Sequence, residues 1–274
     1  MATAHGTRLQ LARPALALWR APGVLQVGLD SPAVVLERVP DGIDEAIRLL
    51  ARPHSADELG SLLPGLEAHW WPWLLERLSA SGLLVPATPP PPPSLVVVGA
   101  GRLADAVATA LASAGPGTSR VDPVGFAGLP AATAAREVVV LAGRTAEPDR
   151  AMTDSLFREG RTHLVVRLEP DRAVVGPFVQ PGASPCVRCQ DLARVRLDPA
   201  WPALLAQLCR EPVAAEPSLL AWAAATAAVQ VRAWLAGGTP ETHGASLELE
   251  LGDFRLHGRP WRAHPGCGCL QPPG

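Results

Sequence analysis

Short apolar runs open the chain. Residues 16–19, 24–29 and 34–36 carry β-branched or alternating apolar side chains, with Pro22-Gly23 and Asp30-Ser31-Pro32 between them. Alternation bounded by such turn residues predicts three short strands. The period then lengthens. Residues 43–50 repeat at helical spacing behind Asp41, a candidate cap, and Ser55-Ala56-Asp57-Glu58 is a capping-box pattern opening a helix to residue 63. Residues 67–81 predict a longer helix stopped by Gly82, and 83–85 a last strand. Trp70, Trp71 and Trp73 lie in the first turns of that helix. Aromatic residues at helical spacing mostly fill core, which is the expectation here; a partner surface is the alternative.

Residues 89–93 are five consecutive prolines. Such a run is a stiff spacer that continues neither a helix nor a central strand. It predicts a domain over 1–86, a Pro-rich linker over 87–93 and a second domain over 94–274. That second domain opens with a continuous apolar strand, 94–98, running into Gly99-Ala100-Gly101-Arg102-Leu103-Ala104 and an Ala-rich helix to about 114. A second strand ends near Asp122. Further strands are predicted at 137–141, 163–168, 173–179, 246–251 and 254–257, and helices at 148–159, 199–209 and 216–236. Strands alternating with helices imply an α/β fold, a Rossmann-like and mostly parallel sheet with helices on both faces. Glycines at this strand–helix turn, with an acidic residue after the second strand, mark Gly99, Gly101, Arg102 and Asp122 as candidate nucleotide-binding residues. The same glycines also serve plain strand–helix packing.

Composition narrows the partners. The 274 residues carry a net charge of −2 with no basic patch, so nucleic acid is not expected. The longest apolar run, 219–236, contains Thr226, Gln230 and Arg232 and reads as a buried helix rather than a membrane span. The chain has no lysine, asparagine or tyrosine. Any chemistry it performs must do without those side chains.

Four of the five cysteines form two distant pairs, Cys186-Val187-Arg188-Cys189 and Cys267-Gly268-Cys269. Such pairs can close a tetrahedral four-cysteine zinc site. With all four ligands drawn from protein, the metal would be structural. Disulfides or unrelated free thiols are the alternatives. Arg8, Arg13 and Pro14 interrupt the first apolar stretch, so no secretory signal is expected. A cytoplasmic location then follows, where thiols stay reduced. His264 precedes the second pair and reads as a supporting residue. Cys209, outside both pairs, is expected to be buried and inert.

The sheet-then-helices layout of residues 15–85 is winged-helix-like and resembles the peptide-binding element of ribosomal-peptide modification systems. In that element a leader peptide adds a strand to the sheet edge. Acidic residues on its helices (Asp41, Asp44, Glu45, Asp57, Glu58, Glu67, Glu76) speak against the DNA-binding alternative. The glycine-rich Rossmann start, the C-x-x-C after the fifth strand and the second cysteine pair together resemble the ThiF-like superfamily, relatives of ubiquitin-activating enzymes. The stretch from Val175 to Cys189, followed by Asp198-Pro199-Ala200-Trp201-Pro202, is similar to the branch associated with cyclodehydratases of thiazole/oxazole-modified peptides.

Active members of that superfamily adenylate a carboxylate with ATP and Mg²⁺, which requires a cation on the phosphates and a carboxylate on the metal. This chain departs at both places. Pro123-Val124-Gly125-Phe126 follows Asp122, and Ala142-Gly143 stands where the metal-binding Asp is usual. Arg102 and Arg144 compensate in part, so ATP binding stays open. The resemblance therefore implies a catalytically degenerate scaffold that binds a leader peptide and presents it to a separate ATP-using cyclodehydratase. It further implies a homodimer. The alternatives are an active ThiF-type adenylyltransferase and a dinucleotide-binding oxidoreductase.

Overall fold

The computed structural model describes residues 7–29, 34–87, 94–112, 118–127, 137–214, 216–253 and 255–270. The turn at 30–32, the prolines 89–93, the helix end at 113–114 and Phe254 lie outside them. The chain divides into two compact units, 1–90 and 91–274.

In the first unit β1 (Leu9–Leu11) precedes an antiparallel meander of β2 (Ala17–Ala21), β3 (Val24–Val27) and β4 (Val34–Glu37), in the order β2-β3-β4. Three helices follow, α1 (Ile43–Leu49), α2 (Ala56–Leu62) and α3 (Trp70–Ala80), and then β5 (Leu84–Pro86), which pairs back onto β1. Leu25, Val27 and Leu36 on the inner face of the meander meet Ile43, Ile47, Leu59, Leu74 and Leu78 in one core. Ser55 and Glu58 form the expected capping box of α2. At α1 the cap is not Asp41 but Gly42, whose left-handed backbone (φ 89°) turns the chain into the helix one residue later.

The second unit is built on β6 (Ser94–Val98), α4 (Arg102–Ala112), β7 (Thr118–Val121), α5 (Pro123–Ala127), β8 (Glu137–Ala142), α6 (Arg150–Arg158), β9 (His163–Leu168), β10 (Arg172–Val179), α7 (Val187–Leu197), α8 (Trp201–Leu208), α9 (Pro217–Leu235), β11 (Ala245–Glu250) and β12 (Arg255–Pro260). Its seven-stranded sheet has the order β12-β11-β10-β9-β8-β6-β7. The sheet is mixed. β7, β6, β8 and β9 run parallel, whereas β10, β11 and β12 extend it antiparallel from β9. The short turns between β9 and β10 and between β11 and β12 leave no room for the crossover that parallel neighbours need.

β6, β8 and β9 are buried on both faces, which is why they read as continuous apolar runs. Leu95, Val97, Val138 and Val140 pack on one side beneath α4 and α9. Val96, Val98, Val139 and Leu141 pack on the other beside Phe126, Leu156 and Val187. Three of the paired cysteines are buried within this second cluster.

Candidate functional site

The two cysteine pairs meet. Cys186 is the N-cap of α7 and Cys189 lies in its first turn, so one helical turn aims both thiols the same way. Cys267 and Cys269 come from the tight turn after β12, with the Cys267 N–H donating to the His264 carbonyl at 2.9 Å. The Cys186 and Cys267 sulfurs are 3.5 Å apart and those of Cys189 and Cys269 3.3 Å apart. All four lie within 4.8 Å of one another. Zinc–sulfur bonds of about 2.3 Å in a tetrahedron set sulfur–sulfur spacings of about 3.8 Å, so the cluster fits a metal such as zinc. All five cysteines are free thiols.

Burial pushes the Cys186 thiol well up and that of Cys269 to about 11. Burial opposes ionisation at Cys189 too, but hydrogen bonds led by the His264 N–H (3.3 Å to Sγ) hold its thiol below the usual range. Buried thiols of this kind release their protons to a bound cation. His264 serves through its backbone, while its ring Nδ1 accepts the Gly266 N–H at 3.1 Å.

A salt-bridge network that no sequence pattern announced holds α7 in place. The buried Glu147 carboxylate accepts from Arg150 Nη2 and Arg194 Nη1, both at 2.9 Å, and lies 3.4 Å from Arg167 Nε. Asp191, two residues beyond Cys189, accepts twice from Arg150 (2.7 and 2.9 Å) and once from the Trp201 indole at 3.1 Å. Burial disfavours the Glu147 anion, but the surrounding guanidinium groups outweigh it and hold its pKa low. The network ties α6, β9, α7 and α8 together and so fixes the direction from which the first cysteine pair points. Cys209 is half-buried rather than buried. Its thiol donates to the Pro148 carbonyl at 3.3 Å, and burial pushes its pKa up, which leaves it a poor nucleophile.

The candidate nucleotide residues separate. Gly99 serves strand packing: a Cβ there would lie 2.0 Å from the Ala142 carbonyl oxygen of β8. Asp122 opens α5, its Oδ1 accepting the Gly125 N–H at 2.6 Å. Neither lines the crevice. Gly101 and Arg102 do, together with Arg144, around a cavity of about 410 Å³ at the carboxyl ends of β6 and β8. Among the described residues no carboxylate or carboxamide lines it. A triphosphate held through Mg²⁺ needs oxygen ligands on the metal. The described lining thus offers no carboxylate to such a metal.

In the first unit, β4 is an edge strand, bonded to β3 on one side. A groove of about 650 Å³ runs beside it, lined by Val35, Arg38, Trp70, Trp73 and Arg77 among others. Trp71 turns into the core (3% exposed), while Trp70 and Trp73 stack edge to face at 5.3 Å along the groove. Trp70 and Trp73 are half-buried and also pack against that core. Arg77 lies 6.0 Å over the Trp73 ring, and Glu37 lines the groove along with Arg38 and Arg77.

No family model and no curated protein sequence matches the chain. Solved structures share its fold. The heterocyclase TruD superposes with a TM-score of 0.63 at 18% identity, covering 96% of this chain and 43% of that one. A heterocyclase in complex with substrate and cofactor gives 0.68 at 17%, covering 96% and 39%. E. coli MccB with ATP gives 0.56 at 13%, covering 96% and 99%. The chain thus spans about two fifths of the heterocyclases and the full length of MccB. No helix of the described residues is long and apolar enough to cross a membrane.

Proposed function

We propose that a chain with this fold acts as a non-catalytic scaffold in the biosynthesis of a modified peptide. It binds the leader segment of a precursor peptide and presents it to a separate ATP-using cyclodehydratase. The observation that carries this reading is the open edge of β4 beside Trp70, Trp73 and Arg77. An extended peptide gains main-chain hydrogen bonds by joining such an edge, and flanking pockets take its alternate side chains. The groove lining carries Arg38 and Arg77 against one acid, Glu37, a balance that favours a leader that carries carboxylates.

The heterocyclases that share the fold are more than twice as long as this chain. In this reading a second polypeptide supplies what lies beyond. The cysteine cluster then holds a structural zinc, all four ligands being protein thiolates with no position left for substrate. The crevice after β6 and β8, lacking a metal-binding carboxylate among its described residues, supports a scaffold over an adenylating enzyme.

The test is amide hydrogen exchange on the protein with and without a candidate precursor peptide, together with anisotropy of its labelled leader. Protection concentrated in β4, with binding weakened at least about tenfold by Trp73→Ala, is the expected result. Robust ATP–pyrophosphate exchange by the isolated chain would show an active adenylyltransferase instead.

A further inference from the structure

Four thiolates gathered on one ion are also four nucleophiles, and here their surroundings differ. Cys186, Cys189 and Cys269 are buried, whereas Cys267 is half-buried. A cavity of about 310 Å³ beside α6 is lined by Cys186, Cys267 and Cys269, and Cys189 stays outside its lining. Taking the cluster to hold zinc, as proposed above, we infer that Cys267 is an oxidation site. Hydrogen peroxide joins it to Cys186 as a disulfide, and the metal leaves.

Reversible oxidation needs a thiolate, access for the oxidant and a neighbouring thiol to complete the reaction. A metal-bound cysteine is already a thiolate. The cavity gives access, and its size leaves ample room for a peroxide molecule. Arg158 and Arg188 line it against one acid, Asp154, a balance that favours thiolate over thiol. The neighbouring thiol is Cys186, its Sγ 3.5 Å from that of Cys267. A disulfide needs about 2.05 Å, so the two sulfurs must close by roughly 1.5 Å. Cys186 is fixed at the start of α7, whereas Cys267 stands in the turn after β12, and the movement falls to Cys267. Cys189 and Cys269 are as close, at 3.3 Å, but the Cys189 sulfur accepts the His264 N–H and lies away from the cavity.

The Cys267 thiolate attacks one peroxide oxygen. An S–O bond forms, the O–O bond breaks, and the departing hydroxide takes a proton to become water. The Cys186 thiolate then attacks the sulfenic sulfur of Cys267. The S–S bond forms, the S–O bond breaks, and a second hydroxide leaves and is protonated. Two thiolates, one peroxide and two protons thus give one disulfide and two waters. Cys189 and Cys269 remain, two ligands where a structural zinc takes four, and the ion is released. The disulfide keeps residues 186 and 267 tied after it has gone.

The zinc content of the full chain is measured first. Hydrogen peroxide is then added beside a colorimetric zinc chelator, with a peroxide-free control, and the quenched protein is peptide-mapped without reduction. About one zinc per chain is expected to be released with peroxide and retained in the control. The map should show a Cys186–Cys267 cross-link, and dithiothreitol with added zinc should reverse both changes. Dimedone present during the reaction should label Cys267 ahead of the other cysteines. Cys209→Ser should leave the release rate and the cross-link as they are, since Cys209 does not line the cavity. Zinc kept under peroxide, zinc lost without a disulfide, a cross-link between any other two cysteines, or its disappearance in Cys209→Ser overturns the inference and leaves the metal assignment standing. Protein that holds no zinc at the outset overturns both.

Discussion

The Cys189 and Cys269 sulfurs meet at 3.3 Å although 80 positions separate them in the chain. Three of the four clustered thiols are buried among apolar side chains, a setting that favours a shared cation over four separate protons. The protein is expected to carry about one zinc per chain. Cys186→Ser should lose that metal and most of the melting temperature gained from it, because a metal that binds the folded site adds its binding free energy to folding. Elemental analysis beside thermal unfolding checks this. Metal-free wild-type protein melting where the untreated protein does would refute it.

His163 opens β9 with 1% of its surface exposed, and burial lowers its pKa to about 4, partly opposed by the Arg161 carbonyl at Nδ1. The folded protein keeps the ring neutral while the unfolded chain takes up a proton near pH 6.5. Stability from this residue is therefore complete above about pH 6.5 and lost as the pH falls toward 4. The loss is about 1.4 kcal/mol per pH unit, reaching about 3 kcal/mol. Denaturant midpoints at about pH 7, 5.5 and 4.5 should show it, and His163→Gln should flatten that part of the slope. An identical slope in the variant would exclude this residue as the cause.

Glu147 is the one carboxylate shared by Arg150, Arg167 and Arg194. Glu147→Gln keeps the volume but leaves these cations facing one another with only Asp191 and Glu169 to balance them. Breaking a buried charge cluster from one side costs about 3 to 5 kcal/mol, and that is the expected loss in urea unfolding. The variant should also release zinc faster to a chelator, since α7 carries Asp191 together with the first cysteine pair at its start. A loss below about 1 kcal/mol would mean that the network holds nothing in place.

Much of this was legible in the residues. The apolar runs of β6, β8 and β9 and the capping box of α2 are local signals, and the structure follows them. The paired cysteines were legible as a cluster because C-x-x-C spacing is itself a geometric statement. Other features were not local. β1 is three residues long and exists through its pairing with β5, 73 to 77 positions away. α7 buries only Val187 and Cys189 among its apolar residues, and its other anchors are Asp191 and Arg194, whose partners lie on α6, on α8 and in the loop before α6. Gly99 and Gly101 were equally consistent with phosphate contact and with packing. The difference lay in the Ala142 carbonyl and the Arg144 stem, neither of which adjoins them in sequence. Trp70, Trp71 and Trp73 stand within one turn of α3, yet only Trp71 is fully buried, while Trp70 and Trp73 pack against the core half-exposed.

With a metal in place, the cysteine cluster also alters what a break in the chain means. The segment between Cys189 and Cys267 runs through most of α7 and all of α8, α9, β11 and β12, and both of its ends are tied to one ion. It is then a closed ring, and a single cut within it leaves the two fragments physically joined. The second unit would keep its sheet and helices as one body after such a nick, and would come apart only when the ion was withdrawn.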